Sequence, residues 1–358
     1  MKFFLSYFLL ASTILKAQTP IQGSLNGLQQ LDLFNVKMKN NVACYRIPAL
    51  VVASNGDLIA AIDERGPSCA DLKANDNINI VMRKSRDNGK TWTDIRTLVD
   101  YPLGKSASDP SFINDSKTGT IFLFYNYMDL NIEKDVYYLH VLKSTDNGES
   151  WSKPEDITNQ VSKPEWHGDF KFITSGKGTQ TASGVLLHTL VNLKQGVFVF
   201  GSKDHGKTWF LSDTPLKPAD ESKIIELSDG SWMVNSRVNS PGMRYVHISK
   251  DKGKSWTSRA ELALTDPACN AAIIRYKFKT LNCLLFMNAD SKDNRKNLTI
   301  KISYDEGKTW TKGKTIYAGS AAYSDLVVMK NGDIGLLFEK NEYTENVFLS
   351  FPFQWIIR

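Results

Sequence analysis

Ser85-Arg86-Asp87-Asn88-Gly89-Lys90-Thr91-Trp92 is the first of five octapeptides in this 358-residue chain that share the pattern Ser-x-Asp-x-Gly-x-(Ser/Thr)-Trp. The others run from Ser144 to Trp151, Ser202 to Trp209, Ser249 to Trp256 and Ser303 to Trp310, and successive copies start 59, 58, 47 and 54 residues apart. A motif recurring at such a period marks an array of similar units. Each position has a structural reason. Asp accepts backbone N–H groups within a tight turn, Gly supplies a positive φ, and Trp offers a large apolar face to pack beneath the turn. Turn chemistry explains every residue, so these aspartates are read as scaffold rather than as a row of metal or sugar sites.

A looser second repeat has six copies, each a turn signal followed by a β-type run: Asn55 to Ile62, Thr118 to Tyr125, Ser183 to Leu190, Asp229 to Ser236, Asn282 to Asn288 and Asn331 to Phe338. Runs such as Ile121-Phe122-Leu123-Phe124 behind turn residues read as strands, and few stretches carry a long helical period. Six units, each of several short strands, predict an all-β chain folded as one six-bladed β-propeller over residues 18–358. The sixth unit lacks the octapeptide and is expected to close the ring with strands from both chain ends.

Composition excludes other classes. The content is 42% hydrophobic and 23% charged, which rules out a disordered or collagen-like chain. The formal charge is +6, with no long basic run of the kind a nucleic-acid binder displays. Residues 1–17 read as a signal peptide: Lys2, the apolar run Phe3 to Leu15, and a cut after Ala17. That run is too short to span a bilayer as a helix. The mature chain is therefore expected to be secreted or periplasmic, with surface association left open, and to carry no membrane span. Cys44, Cys69, Cys269 and Cys283 allow three disulfide connectivities and show no metal spacing. The scattered histidines show none either, so no metal and no cofactor are expected.

The octapeptide is known as an Asp box. Together with Tyr45-Arg46-Ile47-Pro48 ahead of the first copy, it makes the chain from about Leu33 to Phe353 resemble the bacterial exo-α-sialidases. The resemblance implies a triad of arginines for the substrate carboxylate: Arg46 from the motif, Arg237 after the strand Ser231 to Val234, and Arg295 before the strand Leu298 to Ser303. Arginine suits this task because it stays charged and offers planar paired donors. The family cleaves with a tyrosine nucleophile. A neutral phenol escapes the repulsion a carboxylate would feel beside the substrate carboxylate, but it needs an adjacent base.

By that resemblance the nucleophile is Tyr323. The base is Glu221, sixteen residues before Arg237, with Glu226 as the alternative. The acid is Asp71, twenty-five residues after Arg46, with Asp76 as the alternative. The acid loop, Asp71-Leu72-Lys73-Ala74-Asn75-Asp76-Asn77, is longer than the family's usual form. Arg65, Asp109 and Gln180 match further substrate-binding positions. Met82, Phe170 and Trp166 could touch the N-acetyl group or the aglycone, or could equally be core. The implied function is retaining exo-α-sialidase action by a monomer on sialylated glycoproteins, glycolipids or oligosaccharides. The rivals are a trans-sialidase and a non-catalytic Asp-box propeller that binds sialoglycans or a protein partner.

Overall fold

The computed structural model describes residues 19–240 and 242–358. The expected leader, residues 1–17, lies outside them. Among the described residues the fold is nearly all β, with only single-turn helices such as Thr158–Val161 and Phe353–Ile357. No helix among the described residues is long and apolar enough to cross a membrane.

Among the described residues the strands form five sheets. The first is the meander Cys44–Val52, Leu58–Arg65, Ile78–Ser85 and Arg96–Val99. The second joins Lys105–Asp115, Thr120–Asp129, Tyr138–Ser144 and Glu155–Asp156, and takes Gly176–Lys177 as a parallel edge. The third is built on Leu186–Asn192 and Gly196–Ser202, and the fourth joins Ser222–Glu226, Trp232–Ser236, Arg244–Ser249 and Thr257–Glu261. The fifth has eight strands in two sets that share the long strand Lys314–Val328. Its second set pairs Glu345–Phe351 from the C-terminal end with Leu28–Asn35 from the N-terminal end. All six turn-and-run repeats lie on second strands of these sets, from Leu58–Arg65 to Ile334–Lys340. Their alternation feeds successive apolar clusters between neighbouring sets, for example Ala49, Ile59 and Ile80 with Phe112 and Leu123.

The octapeptides all adopt one turn. In the first, Ser85 Oγ donates to Asp87 at 2.9 Å and accepts from Gly89 N at 2.9 Å, and Asp87 accepts Thr91 N and Oγ1 at 2.8 and 2.6 Å. The same bonds recur around Asp305, where those from Thr309 hold the carboxyl down at about 2. The residue before the glycine is also left-handed, at φ 58° for Asn88 and 59° for Asn147, which favours Asn there. The glycine is required for space as well as for φ. A Cβ on Gly206 would stand 2.3 Å from the Phe122 ring, whereas one on Gly230, also at positive φ, would meet nothing within 4 Å.

Side chains at the ends of second strands tie the sets together. Asp63 accepts Asp109 N at 3.0 Å, Asn126 accepts Ile173 N at 2.8 Å, and Glu339 accepts Ile47 N at 2.8 Å. Each takes a backbone proton from the set that follows it around the molecule. One disulfide, Cys44–Cys69, joins the start of the first strand to the loop after the second, and Cys269 and Cys283 are buried free thiols.

The two glycines give a direct test of the octapeptide's packing. Gly206→Ala combines a strained φ with overpacking and is expected to cost about 3 kcal/mol, whereas Gly230→Ala bears only the φ penalty, about 1 kcal/mol. Equilibrium denaturation of both variants measures the difference. Equal losses would show that the glycine is not held by the Phe122 contact.

Candidate active site

Three first strands bulge at matching places: between Arg46 and Ala49, between Ser108 and Ser111, and between Ala321 and Ser324. Two of the bulges carry an x-Pro pair whose first residue is left-handed, Ile47 at φ 65° and Asp109 at φ 63°. A β-branched residue at such a φ is a strained outlier. Bulges re-aim side chains, and here they surround one cavity of about 310 Å³. Arg65, Asp71, Asp109, Glu221, Arg237 and Tyr323 form its polar wall. Leu72, Tyr137, Phe170, Phe172 and Leu193 form its apolar wall.

Tyr323 is the centre. Its hydroxyl donates to Glu221 Oε2 at 2.7 Å, and Arg237 Nη1 donates to the same oxygen at 2.6 Å. The spacing of sixteen has a structural cause. Ser222 and Ser236 are cross-strand partners, so Glu221 and Arg237 extend opposite ends of one antiparallel pair, bonded Arg237 N to Glu221 O at 2.9 Å. The guanidinium carbons of Arg46 and Arg295 lie 5.4 and 5.5 Å from the Tyr323 ring centre. The three arginines therefore converge on one phenol. Burial raises the Tyr323 hydroxyl well above the ordinary phenol range, and the Glu221 carboxylate adds to this against the pull of Arg237 and Arg295. Arg46 Nη2 and Arg237 Nε are buried without a hydrogen-bond partner.

Asp71 stands at the mouth with 73% of its side chain exposed. Arg65 Nη1 donates to its Oδ1 at 2.6 Å, and Arg46 Nη1 is 3.5 Å from the same atom. Partial desolvation by the surrounding walls acts to raise its pKa, but Arg65, Arg46 and Arg295 together outweigh that and hold it below the usual carboxylate range. Arg65 is itself fully buried, braced by Asp63 at 2.8 Å and by the carbonyls of Cys69 and Ala70. The acid loop is thus wrapped around one guanidinium and anchored by the disulfide two residues before Asp71. Asp109 sits beside Asp63; burial raises both carboxyls, and at Asp109 the charge of Asp63 adds to it, so the pair keeps a proton above the ordinary carboxylate range.

Gln180 does not reach this cavity. Its amide nitrogen donates to Asp115, and its carbonyl accepts from Ser116 N at 2.9 Å, so it braces a turn. It lines a larger cavity of about 470 Å³ at the other ends of the same first strands, together with Glu226 and Arg275. That cavity holds no nucleophile–base pair, and a buried network of Lys177, Asp325, Lys223 and Asn270 lies between the two. The base alternative Glu226 belongs there too, bonded to Ala182 N. Asp76 engages Gly104 N through its backbone carbonyl. Phe170 lines the site, whereas Met82 and Trp166 are core.

Sequence reading missed Glu339. This fully buried carboxylate accepts Arg46 Nε at 3.2 Å, Ile47 N at 2.8 Å and Tyr323 N at 3.0 Å. The available signal was a lone acid ending the apolar run Ile334 to Phe338, as Asp63 ends its own. Among the described residues, no group of three or more His, Cys, Asp and Glu side chains has the geometry to hold a metal ion.

The BNR repeat-like domain family matches residues 56–336. A sialidase of Micromonospora viridifaciens is 34% identical over 87% of this chain and 52% of its own length. A sialidase of Bacteroides fragilis is 30% identical over 84% of this chain and 61% of its own. The chain thus spans about half to three fifths of these relatives. Among solved structures, a Hadza microbial sialidase superposes with a TM-score of 0.81 at 28% identity, covering 89% of this chain and 68% of that one. An intramolecular trans-sialidase from Ruminococcus gnavus superposes at 0.76 and 20% identity, over 90% and 97%, a likeness of fold. With this match over most of its length and sialidases as its relatives, the chain belongs to the BNR repeat-like domain family.

Proposed function

We propose that the chain is a retaining exo-α-sialidase that releases terminal α-linked sialic acid from sialylated glycoconjugates, acting as an exported monomer. The observation that carries the reading is the Tyr323 hydroxyl, 2.7 Å from Glu221 and enclosed by three arginines. An anionic sugar fits this site. Its carboxylate meets Arg46, Arg237 and Arg295, and its ring lies over Tyr323 with the apolar wall alongside. Four sheets, together with the two strand sets of the eight-stranded sheet, support a six-bladed propeller. The disulfide supports export, because such bonds persist in oxidising compartments.

In the first step the Tyr323 oxygen attacks the anomeric carbon while its proton passes to Glu221. The raised phenol pKa opposes prior ionisation, so the proton leaves as the new bond forms. The glycosidic C–O bond breaks, and its electron pair takes the proton of Asp71. In the second step Asp71 accepts a proton from water, which displaces the tyrosyl oxygen, and Glu221 returns its proton to the phenol. Two displacements retain the anomeric configuration. Protonated Asp109 can donate to a sugar hydroxyl from the pocket wall.

The free site keeps Asp71 ionised through Arg65 and Arg46. A bound substrate carboxylate engages Arg46 and weakens that hold, which lets Asp71 carry the proton it must deliver.

Two outcomes follow. With a 4-methylumbelliferyl α-sialoside, whose leaving group needs little acid help, Tyr323→Phe is expected to lose about 10³-fold or more in kcat, and Asp71→Ala about 10-fold. With sialyllactose, Asp71→Ala is expected to lose about 10³-fold. Folded wild-type protein that hydrolyses neither substrate would overturn the reading. The pH dependence carries a sign. Activity falls as Asp71 loses its proton, and the bound site releases Asp71 from Arg46. The alkaline limb of kcat on sialyllactose is therefore expected at higher pH than that of kcat/KM. Coincident limbs would contradict the release of Asp71 on binding.

A further inference from the structure

Tyr343 lies outside the catalytic steps yet touches two of the three arginines. Its ring centre is 4.0 Å from the Arg46 guanidinium carbon, and its hydroxyl accepts from Arg295 Nη1 at 3.3 Å. Arg46 has Glu339 and Asp71 as ionic partners, and Arg237 has Glu221. Among the described residues, Arg295 has no carboxylate within ion-pair distance. Its side-chain hydrogen bonds go to the Tyr343 hydroxyl and, at 3.4 Å, to the carbonyl of Ala268. A cation held only by neutral acceptors keeps most of its charge for a ligand, but it depends on those acceptors for its direction.

The backbone is built to deliver this phenol. Asn341, Glu342 and Tyr343 are left-handed in succession, at φ 51°, 54° and 70°, in the turn between Ile334–Lys340 and Glu345–Phe351. Such a conformation is unfavourable for Glu and Tyr and persists only where the surroundings over-determine it. Asn341 supplies that restraint. Its side chain accepts from Tyr317 Oη at 2.5 Å and donates to Glu345 at 3.0 Å, and its N–H meets Ser320 O at 2.9 Å. Ala268, whose carbonyl is the other anchor of Arg295, is likewise left-handed at φ 58°.

We propose that Tyr343 is a positioning residue for carboxylate recognition, setting the separation and orientation of Arg46 and Arg295 by stacking on one and bonding the other. This rests on the reading of the three arginines as the carboxylate site. Tyr343 acts on the ground state and the transition state alike, because the substrate carboxylate is present in both, so its loss belongs in KM rather than in kcat.

The test measures affinity for 2-deoxy-2,3-didehydro-N-acetylneuraminic acid and for its methyl ester, which lacks the charge. Wild type, Tyr343→Phe, Tyr343→Leu and Arg295→Gln are compared by calorimetry, with kcat and KM on the aryl sialoside. Tyr343→Phe keeps the stack and loses the hydrogen bond. Its acid-over-ester preference is expected to fall about 5-fold, with KM raised similarly and kcat within about twofold. Tyr343→Leu is expected to lose several-fold more. Thermal unfolding of Tyr343→Phe should match wild type, and this variant alone decides the matter if Tyr343→Leu does not fold. An unchanged preference in the Tyr343 variants, an equal loss for acid and ester, or a loss confined to kcat overturns the proposal. If Arg295→Gln collapses the preference while the Tyr343 variants keep it, only the positioning role fails. If Arg295→Gln keeps it, the carboxylate reading fails and the proposal with it.

Discussion

The buried carboxylate of Glu339 joins two strand sets and two halves of the site at once. One of its oxygens takes the Ile47 N–H and the Arg46 guanidinium, and the other takes the Tyr323 N–H. The same device appears elsewhere as ordinary construction, with Asp63 receiving Asp109 N and Asn126 receiving Ile173 N. At Glu339 it fixes the Arg46 guanidinium against the backbone of Tyr323. A charge removed from water is costly unless its lone pairs are satisfied and a cation lies close. Three donors, one of them cationic, meet that condition. The requirement works in both directions: the arginine is oriented because the acid must be neutralised, and the acid is tolerated because the arginine is there.

From this constraint follows the character of the cavity wall. Arginines and carboxylates alternate around Tyr323, so the phenol sits in a dense but largely compensated field. Arg237 is shared with Glu221, Arg65 with Asp63 and Asp71, and Arg46 with Glu339 and Asp71. Among the described residues Arg295 has no such partner and is held by Tyr343 and Ala268. Among the described residues, the site thus offers one guanidinium without an ion-pair partner and unpartnered N–H groups of two others, rather than a field of free positive charge. The octapeptide turns are remote from this chemistry, since each aspartate spends its oxygens on its own turn.

What could be read from the chain beforehand depended on range. The octapeptides and the runs behind turn residues are local, so the strand repeat was legible, as was the joining of strands from both chain ends, seen in the pairing of Leu28–Asn35 with Glu345–Phe351. Glu221 and Arg237 were legible because one hairpin sets their spacing. Gln180 misled for the opposite reason: it follows a parallel edge strand and turns toward Asp115, so position along the chain said nothing about which end of the strands it would occupy. Glu339 and Tyr343 act across 293 and 48 residues, on Arg46 and Arg295 respectively, and carry no local motif. The Cys44–Cys69 pairing was one of three possibilities until the loop was seen folded over Arg65.

The most direct test of the central claim is to trap the covalent species. Protein incubated with a 2,3-difluorinated sialosyl fluoride, then quenched and digested, is analysed by mass spectrometry for the modified side chain. The expected result is one sialosyl adduct on the peptide carrying Tyr323, absent in Tyr323→Phe and slow to form in Glu221→Gln. An adduct on Asp71 or Glu221 instead, or catalytic turnover with inverted configuration in the first-formed sugar, would contradict the assignment of Tyr323 as nucleophile.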